Sequence, residues 1–246
     1  MTDSLFYEVL EMSLTDYEQR KPMKIAWLSE GITKEDIFDQ LMVPKQGTVR
    51  DIIPLLQKRA SLPDEVIEQI RFYDIHSGKV NRVLKLDHPV LGLNDYSQIY
   101  AERIPEDQRD PDKMKENGDV LLDCFHFDKD PGKPYGVPFI FTLRDGEIFK
   151  DTKERLSQRT GIKGKQFEKI RFAAINGTGF AAKAVYLEDG TVTPHASLLL
   201  VIKPLLTFHA TDDILSEKLD SAGMLGLDHP NKARNLWNRH ETLNIR

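Results

Sequence analysis

Cysteine is nearly absent: Cys124 stands alone in 246 residues. One cysteine closes no internal disulfide, and no Cys/His cluster has the spacing of a zinc site. Such sparing use fits a reducing compartment, the cytosol or the nucleus. Surplus positive charge is missing too, with a formal net charge of −5 and a pI of about 5.8. A general nucleic-acid binder needs excess Lys and Arg to neutralise phosphates, so no nucleic-acid partner is expected. The longest apolar run, Ala196 to Leu206, is interrupted by Lys203-Pro204. It falls short of the roughly 20 residues of a membrane span, so no membrane partner is expected either. The opening MTDSLFYEVL sets acids among apolar side chains without a basic n-region, and does not read as a signal peptide. The seven histidines include no i, i+4 pair that would bind a metal on a helix. No cofactor is expected.

What is present is the composition of a folded protein. Hydrophobic residues make up 40% and charged residues 30%, and the length leaves room for two ordinary domains. In MKIAWL, Met23, Ile25 and Trp27 alternate onto one face of a strand. A polar stretch with Gly31 reads as a turn, and Ile37 to Val43 as a second strand ended by Pro44. Thr48 with Asp51 three residues on is a helix-start signature. Val49, Ile52, Ile53 and Leu56 then recur at helical spacing. Pro54 lacks the N–H for a helical hydrogen bond and is expected to kink or shorten that helix. Ile70 to Ile75 and Ile99 to Ile104 read as strands, with a short one at Val80 to Leu86 between them. This order makes an α+β sheet with its helix on one face, the β-grasp or ubiquitin-like arrangement.

Pro105 to Gly118 is polar, charged and free of aromatics, and reads as a linker. The order then recurs. Val120 to Phe127 and Val137 to Leu143 read as strands, about Ile148 to Thr160 as a helix capped by Gly161, and Ile170 to Ile175 as a strand. IRFAAI and IRFYDI open alike, each after a helix, and mark a structural repeat. The expected organisation is a lead-in strand over 1–21, a ubiquitin-like module over 22–105, a linker over 106–116, a second module over 117–227 and an extended tail over 228–246.

Four segments occur in order: LFYEVL at Leu5 to Leu10, VPKQGTV at Val43 to Val49, ERIPE at Glu102 to Glu106 and LGLDH at Leu225 to His229. Together they resemble the C-terminal region of ubiquitin-specific proteases of the herpesvirus-associated type. The resemblance implies the last two ubiquitin-like modules and the tail that follow a cysteine-protease domain. It implies ubiquitin removal as the activity of the whole enzyme. For this region it implies a non-catalytic role, in which the tail docks on the catalytic domain of the same enzyme and favours its active arrangement. The alternative is a scaffold that recruits substrate or regulator proteins without activating catalysis. A catalytic thiolate needs a His base and an orienting Asp or Asn. Cys124 shares an apolar strand face with Leu122 and His126 and reads as a core residue, so no catalytic residue is assigned.

The tail, NKARNLWNRHETLNIR, runs from Asn231 to Arg246. Leu243 and Ile245 are two apart, so in an extended chain they point the same way and can fill adjacent pockets. Their alternation resembles the family's activating peptide, with Arg246 at the end in place of the usual aromatic or asparagine. Trp237 lies in a polar segment, where a large aromatic serves as an interface anchor. Lys232, Arg234, Arg239 and Arg246 against Glu241 give the tail a net +3, leaving −8 on the rest of a chain whose total is −5. The expected partner-binding residues are Trp237, Arg239, Leu243 and Ile245. One segment departs from the family pattern: Gly190 to Thr211, with its LLLVI run, intervenes between Tyr186-Leu187-Glu188-Asp189 and Asp212-Asp213-Ile214-Leu215. It reads either as a buried strand or, more readily, as translated non-coding sequence.

Overall fold

The computed structural model describes residues 13–94, 98–145, 147, 149–176, 182–187 and 224–231. The segment Gly190 to Thr211 and the tail residues Trp237, Arg239, Leu243 and Ile245 lie outside the described residues. In the first half, helix α1 (Leu14–Glu18) leads into strands β1 (Arg20–Ser29) and β2 (Lys34–Pro44). Helices α2 (Ile52–Ala60) and α3 (Asp64–Ile67) follow, then strands β3 (Ile70–His76), β4 (Lys79–Leu84) and β5 (Gln98–Arg103). In the second half, α4 (Pro111–Asn117) precedes β6 (Val120–Phe127), β7 (Pro134–Leu143), α5 (Phe149–Thr160), β8 (Arg171–Asn176), β9 (Lys183–Tyr186) and β10 (Met224–Asp228).

Among the described residues the strands form two five-stranded sheets, ordered β2-β1-β5-β3-β4 and β7-β6-β10-β8-β9. In each, the first and last strands run parallel side by side, β1 with β5 and β6 with β10. The other pairs are antiparallel. The same β-grasp topology thus occurs twice, and the chain is an α+β protein of two tandem ubiquitin-like modules.

Local chemistry sets the element ends. Asp51 accepts from the Thr48 N–H at 2.7 Å, closing the expected capping box. A 3-10 turn over Val49–Asp51 precedes α2, so Pro54 falls in the first turn of the helix, where an N–H has no helical acceptor to lose. Two stretches differ from the sequence-based expectation. Of the lead-in over 1–21, expected as a strand, residues 1–12 lie outside the described residues, Leu14–Glu18 is helical as α1, where Ser13 accepts from the Asp16 N–H, and Arg20 already belongs to β1. The 106–116 stretch, expected as a linker, is ordered as a 3-10 turn at Glu106–Gln108 and as α4. Asp110 caps α4 by accepting from the Lys113 N–H at 3.0 Å, and Pro111 opens its first turn. An Asp-Pro pair is a helix cap followed by a residue already preset for the helix, a signal that overall polarity conceals.

In the first module α2 covers one sheet face, where Ile52 and Leu56 pack on Ile25, Trp27, Phe72 and Ile99. In the second, Phe149 and Leu156 of α5 share a core with Leu122, Cys124, Phe172 and Leu225. The opposite face of the first sheet is covered as well: Ala26, Leu28, Tyr73, Ile75 and Tyr100 join that second core in one continuous cluster. From Ile70 to Ile75, β3 is therefore buried on both faces. The alternation that points Phe72 to the helix side points Arg71 and Tyr73 into the junction.

Arg71 and Glu102 are cross-strand partners there. Glu102 is 0% exposed and accepts from Arg71 and from Arg159 near the end of α5. The next turn is equally close. Gly161 ends α5 at φ +68, and a Cβ on it would lie 2.2 Å from Thr33 Cγ2 in the first module. A buried carboxylate shared by two guanidiniums is costly to break, because its removal leaves two uncompensated charges. Glu102→Gln is expected to destabilise the chain by about 3–5 kcal/mol. The readout is a lowered urea midpoint with an unchanged slope; a loss under about 1 kcal/mol would mean that the triad contributes little to closing the junction.

Candidate functional site: the root of the C-terminal tail

The end of β10 decides where the tail leaves the second module. Asp228, its last residue, sits opposite Phe127 on β6 and Arg171 on β8. Gly226 makes that packing possible, since a Cβ there would lie 2.5 Å from Phe127 Cε1 and 2.9 Å from Ile175 Cδ1. Asp228 accepts from the Lys129 N–H at 2.9 Å, Arg171 at 2.9 Å and the Tyr186 hydroxyl at 2.8 Å. Burial opposes its charge, but these donors together hold the carboxyl below the usual carboxylate range. The His229 N–H then donates to the Phe127 carbonyl at 3.0 Å, and the Asn231 N–H to Asp128 Oδ2 at 3.3 Å.

The His229 side chain completes the clamp. Its Nε2 lies 2.8 Å from His126 Nδ1, which a bulge between Cys124 and His126 brings into reach. The Tyr135 hydroxyl lies 2.8 Å from His229 Nδ1 and 2.7 Å from the His229 carbonyl oxygen. With both rings neutral and protonated on Nδ1, every contact holds one hydrogen. His126 Nδ1–H donates to His229 Nε2, His229 Nδ1–H to Tyr135, and the hydroxyl to the carbonyl. Protonating both facing nitrogens would set two N–H groups head to head. Burial first, and the neighbouring His229 second, push His126 down from 6.5 to about 4. Burial, followed by the charges of Asp128 and Asp228, raises Tyr135.

Cys124 is 1% exposed, and burial followed by the charge of Asp123 pushes its thiol well up. It is neutral at neutral pH and is no nucleophile. Because Trp237, Arg239, Leu243 and Ile245 lie outside the described residues, the described part of the site is the root of the tail. His126 and Tyr135 are not legible in the sequence as partners of His229, from which they stand 103 and 94 positions away. Only the LGLDH segment draws attention to His229. Among the described residues, no group of three or more His, Cys, Asp or Glu is placed to hold a metal, and no helix is long and apolar enough to cross a membrane.

The clamp has a pH signature. His126 contributes stability that is whole above its ordinary 6.5 and is lost as pH falls toward about 4, because the unfolded chain takes up a proton that the fold refuses. Moving from pH 7 to pH 5 is expected to cost about 2 kcal/mol at this residue. In His126→Gln the pH series of denaturation midpoints is expected to flatten by that amount. An unchanged slope would remove His126 from the account.

A family model described as ubiquitin-specific protease C-terminal matches residues 4–234. Ubiquitin carboxyl-terminal hydrolase 15 of Schizosaccharomyces pombe is 31% identical over 230 residues, which cover 92% of this chain and 18% of that protein. Ubiquitin C-terminal hydrolase 12 of Arabidopsis thaliana is 28% identical over 200 residues, 78% of this chain and 17% of that protein. Ubiquitin carboxyl-terminal hydrolase 7 of Drosophila melanogaster is 26% identical over 184 residues, 71% of this chain and 16% of that protein. The chain spans less than a fifth of the length of these relatives. A match across nearly the whole chain, over a tandem β-grasp fold, identifies it: the chain belongs to the ubiquitin-specific protease C-terminal family.

Proposed function

We propose that this chain is the non-catalytic regulatory region of a cysteine-type deubiquitinase, and that its tail docks on the catalytic domain of the same enzyme to promote ubiquitin removal. The observation that carries this reading is the clamp at the tail's root. Asp228 is held by three donors, His229 by its backbone, His126 and Tyr135, and Asn231 by Asp128. A tail that leaves a closed two-module unit from one defined place is presented at high effective concentration to a tethered domain. The buried, neutral thiol of Cys124 leaves the covalent chemistry to another domain.

Leu243 and Ile245 are the anchors in this reading. Burying each is worth roughly 1.5–3 kcal/mol, reduced by the cost of ordering the tail. That shifts a catalytic domain between two arrangements only insofar as the tail binds the active one better. Trp237 anchors the approach, and Arg239 and the other cations of the tail steer it.

In an enzyme carrying this region downstream of its catalytic domain, Leu243→Ala with Ile245→Ala is expected to lower ubiquitin-cleavage turnover about tenfold or more, with the modules still folded. Arg239→Ala is expected to weaken activity mainly at low salt, because exposed charges are screened. Full turnover in the double variant would remove tail docking and leave recruitment of substrate or regulator proteins in its place.

A further inference from the structure

We propose that the Arg171–Tyr186 rim of the second module is a docking point for the catalytic domain, received by a carboxylate on that domain's surface. The identity of the partner rests on the function proposed above; the presence of a docking point rests on the internal repeat.

At this rim the two modules correspond position for position. Arg71 pairs with Glu102 across β3 and β5, and Arg171 with Asp228 across β8 and β10. Val83 sits opposite Tyr73 on β4, and Tyr186 opposite Ala173 on β9. In the first module all three members of this set serve an interface. Arg71 is 8% exposed, Glu102 takes a second arginine from the second module, and Val83 packs on the junction cluster. In the second module no described residue covers the equivalent rim: the Arg171 side chain is 62% exposed and Tyr186 39%.

This rim has the make-up of a contact that concentrates binding energy. The Arg171 guanidinium lies 3.7 Å over the Tyr186 ring, and both donate to Asp228. Stacking and pairing hold the guanidinium in one plane, so little freedom is lost on binding. An aromatic and an arginine at such a spot are the residues most often dominant in interfaces. Asp228 is already served by three donors. What the rim offers outward is therefore donor groups of Arg171, and a carboxylate fits that planar fork. Asp228 also immediately precedes His229, where the tail departs, so a body bound at the rim stands within reach of the tail. The two contacts would then act as one bivalent attachment.

The test measures binding of the intact chain to the separately produced catalytic domain of the Schizosaccharomyces pombe relative by calorimetry. It compares the unaltered chain, Arg171→Ala, Tyr186→Ala, the chain lacking residues 232–246, and the combinations. Arg171→Ala and Tyr186→Ala are each expected to raise Kd about tenfold, in the full chain and in the tail-less chain alike. Arg171→Lys is expected to recover only part of the affinity, since it restores charge but not the fork. Thermal unfolding checks that each variant is folded; should Tyr186→Ala fail there, Tyr186→Leu, which keeps apolar bulk and removes the ring stack, takes its place. If rim variants leave Kd unchanged while tail removal raises it, the rim proposal falls and the activation reading stands. If the unaltered chain does not bind, both fall.

Discussion

Glu102 is the constraint on which the shape of this protein depends. A carboxylate with no exposure survives only with its charge compensated, and here the compensation comes from both modules: Arg71 from its own sheet and Arg159 from the other. The apolar cluster that surrounds the triad supplies the driving force for closure, and the triad restricts the geometry in which closure is tolerable. A rotated second module would leave Arg159 or Glu102 buried without its partner. Gly161 adds a steric condition, because only a residue without a Cβ fits against Thr33 at that turn.

The repeat shows one motif under two conditions. An Arg–acid pair one strand position before the core phenylalanine occurs in both modules, at Arg71–Glu102 and at Arg171–Asp228. In the first it is sealed into the junction. In the second, the acid instead gathers Lys129, Tyr186 and Arg171, and so organises the place from which the tail leaves. The difference comes from neighbours rather than from the motif: α5 ends over one pair, while the aromatic ring of Tyr186 stacks under the guanidinium of the other.

The tail root joins architecture to regulation. The contacts among His126, His229 and Tyr135 hold as long as one of the two facing ring nitrogens is without a hydrogen, and burial keeps His126 neutral across the physiological range. The direction of departure is thus insensitive to modest changes of pH. Cys124, the residue whose chemistry is most reactive in principle, is disposed of by the same means, since burial leaves it a thiol in the core.

The sequence by itself determined the elements and their order. Alternation of Met23, Ile25 and Trp27, the Thr48–Asp51 cap, the IRFYDI and IRFAAI strands and the Gly161 stop are local, and local sterics and hydrogen bonding read them out without help from distant residues. The repeat and the family resemblance were legible for the same reason. The strand character of LGLDH was not, because a central strand flanked by β6 and β8 owes its place to partners far away in sequence. Nor was the helix α4, whose Asp-Pro cap is outweighed by the polarity around it. Only the tertiary structure decided that Arg71 and Glu102 are buried, that Arg159 reaches Glu102 across 57 positions, and that His126 meets His229 across 103. Those pairings depend on how two sheets and a helix end are brought together in space, and no local period or cap encodes that distance.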